Sequence, residues 1–170
     1  DWSSDVCSSD LSPSNWFAAF IDDDDRYASR QLTYAEALLS GTTFLCENMY
    51  WSLGERSVAA MAQSGISGAL CEDVRRDFSR PDELVGDEWL ARFRALCLEA
   101  GLVPVLGSVS EEDFDWENVR KIRRKADALG MRETRHLAEN GWRVARVMER
   151  FGRTPVRFLA EADALHGGMI

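Results

Sequence analysis

Two rhythms of apolar residues alternate along the chain. Trp89, Leu90, Phe93, Leu96, Cys97 and Ala100 recur at steps of three and four, as do Trp116, Val119, Ile122, Ala126 and Leu129. That spacing places side chains on one face of a helix. Further helices are expected through Tyr27, Leu32, Ala35, Leu38 and Leu39, over Glu55–Gln63, through Val144, Ala145, Met148 and Phe151, and, in short form, after Pro155. Between them lie short β-branched or apolar runs, Thr42–Cys46, Ile66–Cys71, Leu102–Gly107 and Met131–His136, which read as buried strands. Gly167–Ile170 reads as the start of another strand. Strand starts fall 24–36 residues apart, the pace of a strand–helix barrel. A whole barrel needs about 250 residues and eight strands. The pattern therefore predicts an α/β fold, a partial (β/α)8 TIM barrel of four strands and the start of a fifth.

Local signals refine the boundaries. Asp22–Asp25 stand where they can cap the first helix and complement its dipole. A calcium loop would need alternating oxygen ligands and a central Gly, which this run lacks. Ser12–Ile21, with Trp16, Phe17 and Phe20, is compatible with a packed turn or a short helix. Residues 1–11 show no apolar periodicity and resemble the translation of a sequencing-adapter primer, a scar set apart from the fold. Residues 12–170 are then read as one barrel domain, truncated at both ends.

Charge and cysteines exclude some functions. The net charge is −9, or −6 once Asp1, Asp5 and Asp10 are set aside. An acidic chain is a poor match for nucleic acid or an anionic membrane. No run approaches the roughly 18 apolar residues of a membrane span, and no signal peptide is visible. Cys46, Cys71 and Cys97 sit far apart in apolar contexts, which suits buried reduced thiols and a cytoplasmic location.

The candidate chemistry is concentrated in Met131–Asn140. His136 falls at the C-terminal end of the expected strand, and Glu139 follows in the loop. In a strand–helix barrel that end carries the chemistry. An imidazole there can bind a metal, and a carboxylate three residues on can carry protons. The competing reading makes the pair a helix cap for the run beginning near Asn140. Glu47, Asn48, Tyr50 and Trp51, then Glu72, Asp73 and Arg75, then Ser108 and Ser110 follow the other strands and could face the same pocket. Trp51 is the best substrate candidate among them, because an aromatic face can stack a heterocycle. Arg120–Arg124 reads as a solvated helix face, and His166 as a surface or capping residue near the opposite end of the barrel.

His136-Leu-Ala-Glu139-Asn140, with Val144, Met148-Glu-Arg-Phe151-Gly152, Thr154-Pro155-Val156 and Phe158-Leu159, resembles the fifth-strand segment of the amidohydrolase superfamily. Leu39-Ser-Gly41-Thr42-Thr43-Phe44 and Asn48-Met49-Tyr50 resemble the second strand of its aminohydrolase branch. That branch includes methylthioadenosine/S-adenosylhomocysteine deaminases, guanine deaminases and triazine hydrolases. The likeness extends over about Asp22–Ile170 and makes the chain strands two to five plus the beginning of strand six of a metal-dependent hydrolase barrel. It implies a divalent metal, zinc first and iron second, with His136 as one ligand. The other ligands would be a His-x-His pair after strand one, a His near the end of strand six and an Asp after strand eight. No His-x-His occurs in this sequence. Glu139 matches the proton shuttle that serves a metal-activated water in hydrolytic deamination. The implied partner is a small heterocyclic molecule, a nucleoside, purine or relative; homo-oligomerisation of the full-length enzyme stays open. Two function classes follow. One is a fragment of a deaminase-like hydrolase acting on C–N bonds other than peptide bonds, inactive in isolation; the other is an inactive or non-enzymatic α/β binding protein in which His136 and Glu139 are structural.

Overall fold

A computed structural model describes residues 20–48, 52–74, 85–108, 111 and 115–170. In order, they form α1 (Asp23–Leu39), β1 (Phe44–Asn48), α2 (Glu55–Ser64), β2 (Ser67–Asp73), α3 (Asp87–Glu99), β3 (Val103–Ser108), α4 (Trp116–Leu129), β4 (Arg132–Arg135), α5 (Gly141–Phe151) and α6 (Pro155–Glu161). The strands lie side by side in chain order and every pair is parallel. Each successive pair is joined through a helix, the repeating unit of a strand–helix barrel. Glu133 pairs with Met169 in a parallel bridge; its N–H donates to Gly168 O, and its carbonyl accepts from Ile170 N–H. A fifth strand therefore begins where the sequence pattern placed it. The described fold is a partial (β/α)8 barrel.

Local chemistry sets the helix ends. Asp22 accepts from the N–H groups of Asp24 and Asp25, and Asp25 returns a bond to the Asp22 N–H, a reciprocal capping box. The aspartate cluster caps α1, as its position suggested. Asp115 caps α4 by accepting from the Glu117 and Asn118 N–H groups, and Asn140 caps α5 by accepting from the Arg143 N–H, each without the reciprocal bond. Gly130 closes α4 at φ 60°, a left-handed conformation that glycine adopts without a Cβ penalty.

Alternation along the strands separates two cores. Leu70 and Leu106 face the helices and pack with Met61, Leu90, Phe93, Cys97, Ile122 and Ala126. The opposite face carries the smaller cluster Ala69, Cys71 and Val105. A third cluster joins Val119 of α4 to Phe158, Leu159, Ala162 and Ala164, with Trp116 and Phe151 against it. Full burial of each Val, Leu, Ile, Met or Phe side chain among them is worth about 1.5–3 kcal/mol. The stripes expected for α3 and α4 are the ones buried.

Other expectations need correction. In α1 the residue buried is Tyr34, whereas Leu32, Ala35, Leu38 and Leu39 are exposed. The inward face is instead amphipathic: Tyr27 Oη donates to Gln63, Gln31 Nε2 to Ala60 O, and Tyr34 Oη to Glu47. In α5, Val147 is buried and Ala145 and Met148 are exposed, so the face runs through Val144, Val147 and Phe151. The first strand lies two residues further along than its apolar run, and its exposure alternates. β1 is the outer strand of the described sheet. Cys46 is exposed for that reason, while Cys71 and Cys97 are buried free thiols. Burial, with the Glu72 charge adding to it, pushes the Cys97 thiol up to about 12. Such a thiol is chemically inert at neutral pH.

Gly107 is required by a close approach. A Cβ there would lie 2.2 Å from Cys71 Sγ and 3.3 Å from both Asn48 Oδ1 and Thr134 Cγ2. Gly107→Ala should destabilise the protein by about 1–3 kcal/mol through overpacking. Adding Cys71→Ala should recover most of the loss, because it removes the obstructing sulfur. Urea denaturation of the single and double variants checks this; additive losses would contradict the steric account.

Candidate active site

The C-terminal ends of the parallel strands gather residues from separate parts of the sequence. On the face opposite the helices, Asn48 of β1, Cys71 of β2 and Thr134 of β4 converge over Gly107 of β3. Asn48 Oδ1 is buried there without a hydrogen-bond partner among the described residues. Asp73, two positions beyond Cys71, shares this face by alternation and is buried.

Glu47 and Glu72, by contrast, turn towards the helices. Glu47 accepts from Tyr34 Oη and, at 2.9 Å, from Arg30 Nε. Burial, reinforced by the Glu47 carboxylate, raises the Tyr34 hydroxyl above its ordinary range. Glu72 accepts from Ser52 Oγ at 2.8 Å and Trp89 Nε1 at 3.0 Å. Neither carboxylate belongs to the strand-end face. Glu47, Asn48, Glu72, Asp73 and Ser108 lie within the strands rather than after them. Tyr50, Trp51, Arg75 and Ser110 lie outside the described residues.

Burial raises the Glu72 carboxyl above its ordinary 4.5, against the lowering effect of its hydrogen bonds. A raised folded-state value means that the folded protein holds this proton more tightly than the unfolded chain. The associated stability is fully present below pH 4.5 and is lost as pH rises through the raised value. Glu72→Gln keeps an acceptor for Trp89 and removes the titration. It should gain stability relative to the parent as pH rises from about 4 to about 8, and urea denaturation at both ends measures the difference.

His136 directly follows β4, two positions after Thr134. Its side chain is 42% exposed and its Nδ1 lies 3.7 Å from Glu139 Oε2. Neither ring nitrogen is hydrogen-bonded within the described residues. The Glu139 carboxylate also pairs with Arg143, one turn into α5. Asn140 Oδ1 accepts the Arg143 N–H at 2.9 Å, so the cap that starts α5 also anchors the backbone of Glu139's partner. Between His136 and Glu139, Ala138 has φ 54°, a left-handed conformation costing an L residue about 1–2 kcal/mol. The Ala138 N–H donates to the carboxylate of Glu111, a fully buried residue of the β3–α4 connection. Sequence reasoning missed both Glu111 and Arg143. Arg143 was legible as the i+4 partner of Glu139; Glu111 had no local signal.

His166 differs from a plain surface residue. Its side chain is 15% exposed, with Nε2 3.3 Å from Glu133 Oε2 and Nδ1 accepting the Gly168 N–H at 3.0 Å. Glu133 also pairs with Arg135, whose guanidinium burial pushes down while Glu133 opposes the shift. This network faces α4, where Arg135 Nη2 donates to Val119 O, and is separate from His136.

The chemistry of His136 suits a divalent metal. It offers an imidazole nitrogen with no competing hydrogen bond among the described residues, at a strand end and partly open to solvent. It is one donor: among the described residues no group of three His, Cys, Asp or Glu is placed to hold a metal ion. No helix among them is long and apolar enough to cross a membrane.

No family model matches the chain. It is 26% identical over 157 residues to 5-methylthioadenosine/S-adenosylhomocysteine deaminases from two strains of Desulfitobacterium hafniense, a match covering 88% of this chain. The chain spans about a third, 35%, of the length of those curated relatives. Among solved structures, an adenosine deaminase from Xanthomonas campestris with bound zinc superposes with a TM-score of 0.73 at 22% identity, covering 89% of this chain and 35% of that one. A mutant atrazine chlorohydrolase from Arthrobacter aurescens, complexed with zinc and atraton, gives 0.69 at 15% identity, covering 91% and 38%. The structural matches show the fold alone, and the sequence match makes the chain similar to the aminohydrolase branch of the amidohydrolase superfamily.

Proposed function

We propose that the protein carrying this chain is a metal-dependent aminohydrolase that releases ammonia from a nucleoside, purine or related N-heterocycle. The observation that carries the reading is the His136–Glu139 pair: an imidazole whose ring nitrogens make no hydrogen bond among the described residues, with a carboxylate 3.7 Å from Nδ1, just past the C-terminal end of a barrel strand. The names of the deaminases among the relatives support the same chemistry, and that of the atrazine chlorohydrolase supports the broader class of hydrolytic displacement by water.

His136 would be one ligand of the metal, zinc by preference and iron as the alternative. The bound metal would supply Lewis acidity, making water a nucleophile near neutral pH. Glu139 would take the proton lost by the attacking water and deliver one to the ring nitrogen beside the carbon under attack. The net change is water and an amino-substituted heterocycle going to the oxo compound and ammonia. Arg143 would steer the Glu139 carboxylate, and Trp51 would supply a stacking face for the heterocycle.

One observation favours a second reading. The Glu139–Arg143 pair and the Asn140 cap are also what a purely structural start to α5 would show. Ammonia release separates the two. The full gene product is incubated with adenosine-type, guanine and triazine substrates, untreated, after chelation and after zinc is restored. Release that falls with chelation and returns with zinc is expected. A metal-replete protein inactive on every substrate would favour the structural reading.

A further inference from the structure

We propose that Glu111 is a positioning residue for the proposed reaction: its buried carboxylate holds the Ala138 N–H and thereby sets Glu139 against His136. The inference rests on the aminohydrolase reading for its catalytic consequence, but not for its geometry.

Three observations converge. Ala138 lies between the two proposed functional residues, so its φ, 54°, decides where Glu139 falls relative to His136. An L residue rarely stays in that region unless its surroundings hold it there. Glu111 supplies the hold, from 27 positions away in sequence, by accepting the Ala138 N–H. Glu111 is itself 0% exposed, so this carboxylate is no solvated loop charge. A buried carboxylate demands partners, and a charge-assisted bond to a backbone N–H is among the strong ones. Glu111 thus pins the β4–α5 loop beyond the end of β4. Without that bond Ala138 can return to ordinary negative φ, and the His136–Glu139 contact at 3.7 Å is no longer enforced.

A displaced proton carrier slows chemistry more than it weakens binding, and misplacement by about 1 Å can cost on the order of 10²-fold. Glu111→Ala should lower kcat by about 10–100-fold with KM changed less than about threefold. Glu111→Gln retains a side-chain carbonyl that can accept the same N–H, so it should keep kcat within about threefold of the parent. Adding Ala138→Gly to Glu111→Ala should restore part of the loss, because glycine enters positive φ freely. Hydrogen exchange provides a readout independent of turnover. The Ala138 amide should be protected in the parent and in Glu111→Gln, and exposed in Glu111→Ala. If the parent releases no ammonia from any substrate, the aminohydrolase reading fails while the exchange data still decide the role of Glu111. If Glu111→Ala does not fold, protection of the Ala138 amide in the parent and in Glu111→Gln decides it. An Ala138 amide that exchanges freely in the parent overturns the proposal. So does a folded Glu111→Ala with parental exchange and kcat, or a Glu111→Gln that fails as completely as Glu111→Ala.

Discussion

Replacing Glu139 by Gln should lower turnover of the full gene product by about 10²–10⁴-fold, the usual worth of a positioned acid/base. Gln keeps the size and hydrogen-bonding reach of the side chain and removes the proton acceptor. Metal content should stay near the parent's, because Glu139 is proposed as a carrier of protons and not as a ligand. His136→Ala should instead lose metal and turnover together. The structural reading of the pair expects something else. There, Glu139→Gln would cost a few tenths to about 1 kcal/mol of stability at the start of α5 and leave any turnover intact. Ammonia release and metal analysis on the two variants separate these outcomes, and an active, metal-replete Glu139→Gln would end the shuttle assignment.

The largest effect on stability is expected at Phe158. Its side chain is fully buried, with ring centroids 4.2 Å from Trp116 and 4.5 Å from Phe151. Those three rings come from α4, α5 and α6, so the cluster fastens both helices after β4 to the rest of the fold. Phe158→Ala removes the shared ring and leaves a cavity that α6, short and tied by its flanking turns, can close only in part. A loss of about 3–5 kcal/mol is expected. In a protein of this size each kcal/mol moves Tm by about 2–4 °C, so calorimetry should show a fall of very roughly 6–20 °C. Phe158→Leu should lose less than half as much, because it keeps most of the apolar volume. Equal losses would mean that the aromatic contacts, and not the filled space, carry the stability.

How much of this was legible depended on where each residue's partners lie. The faces of α3 and α4 could be read because their contacts are apolar and the rule for them is periodic: Phe93 and Cys97, or Val119, Ile122 and Ala126, are buried as their spacing demands. The face of α1 could not. Its inward residues are Tyr27, Gln31 and Tyr34, whose hydrogen-bond partners Gln63, Ala60 and Glu47 lie in other elements. A polar residue with a distant partner looks like a surface residue in sequence. The same blindness ended the first two expected strands two residues early, since Glu47 and Glu72 resemble loop residues until Arg30, Ser52 and Trp89 are brought to them. At the candidate site, His136 and Glu139 were readable from spacing and position, and Arg143 was within reach of the i,i+4 rule. Glu111 was not, because nothing near it in sequence signals a contact with Ala138.

The central claim, that His136 stands as a metal ligand beside Glu139, is tested most directly by zinc K-edge X-ray absorption on the zinc-loaded gene product and its His136→Ala variant. The account expects a nitrogen shell at about 2.0–2.1 Å that includes His136 in the parent. In the variant, bound zinc should fall and the residual spectrum should lose one imidazole. A variant with undiminished zinc and an unchanged spectrum would contradict the account.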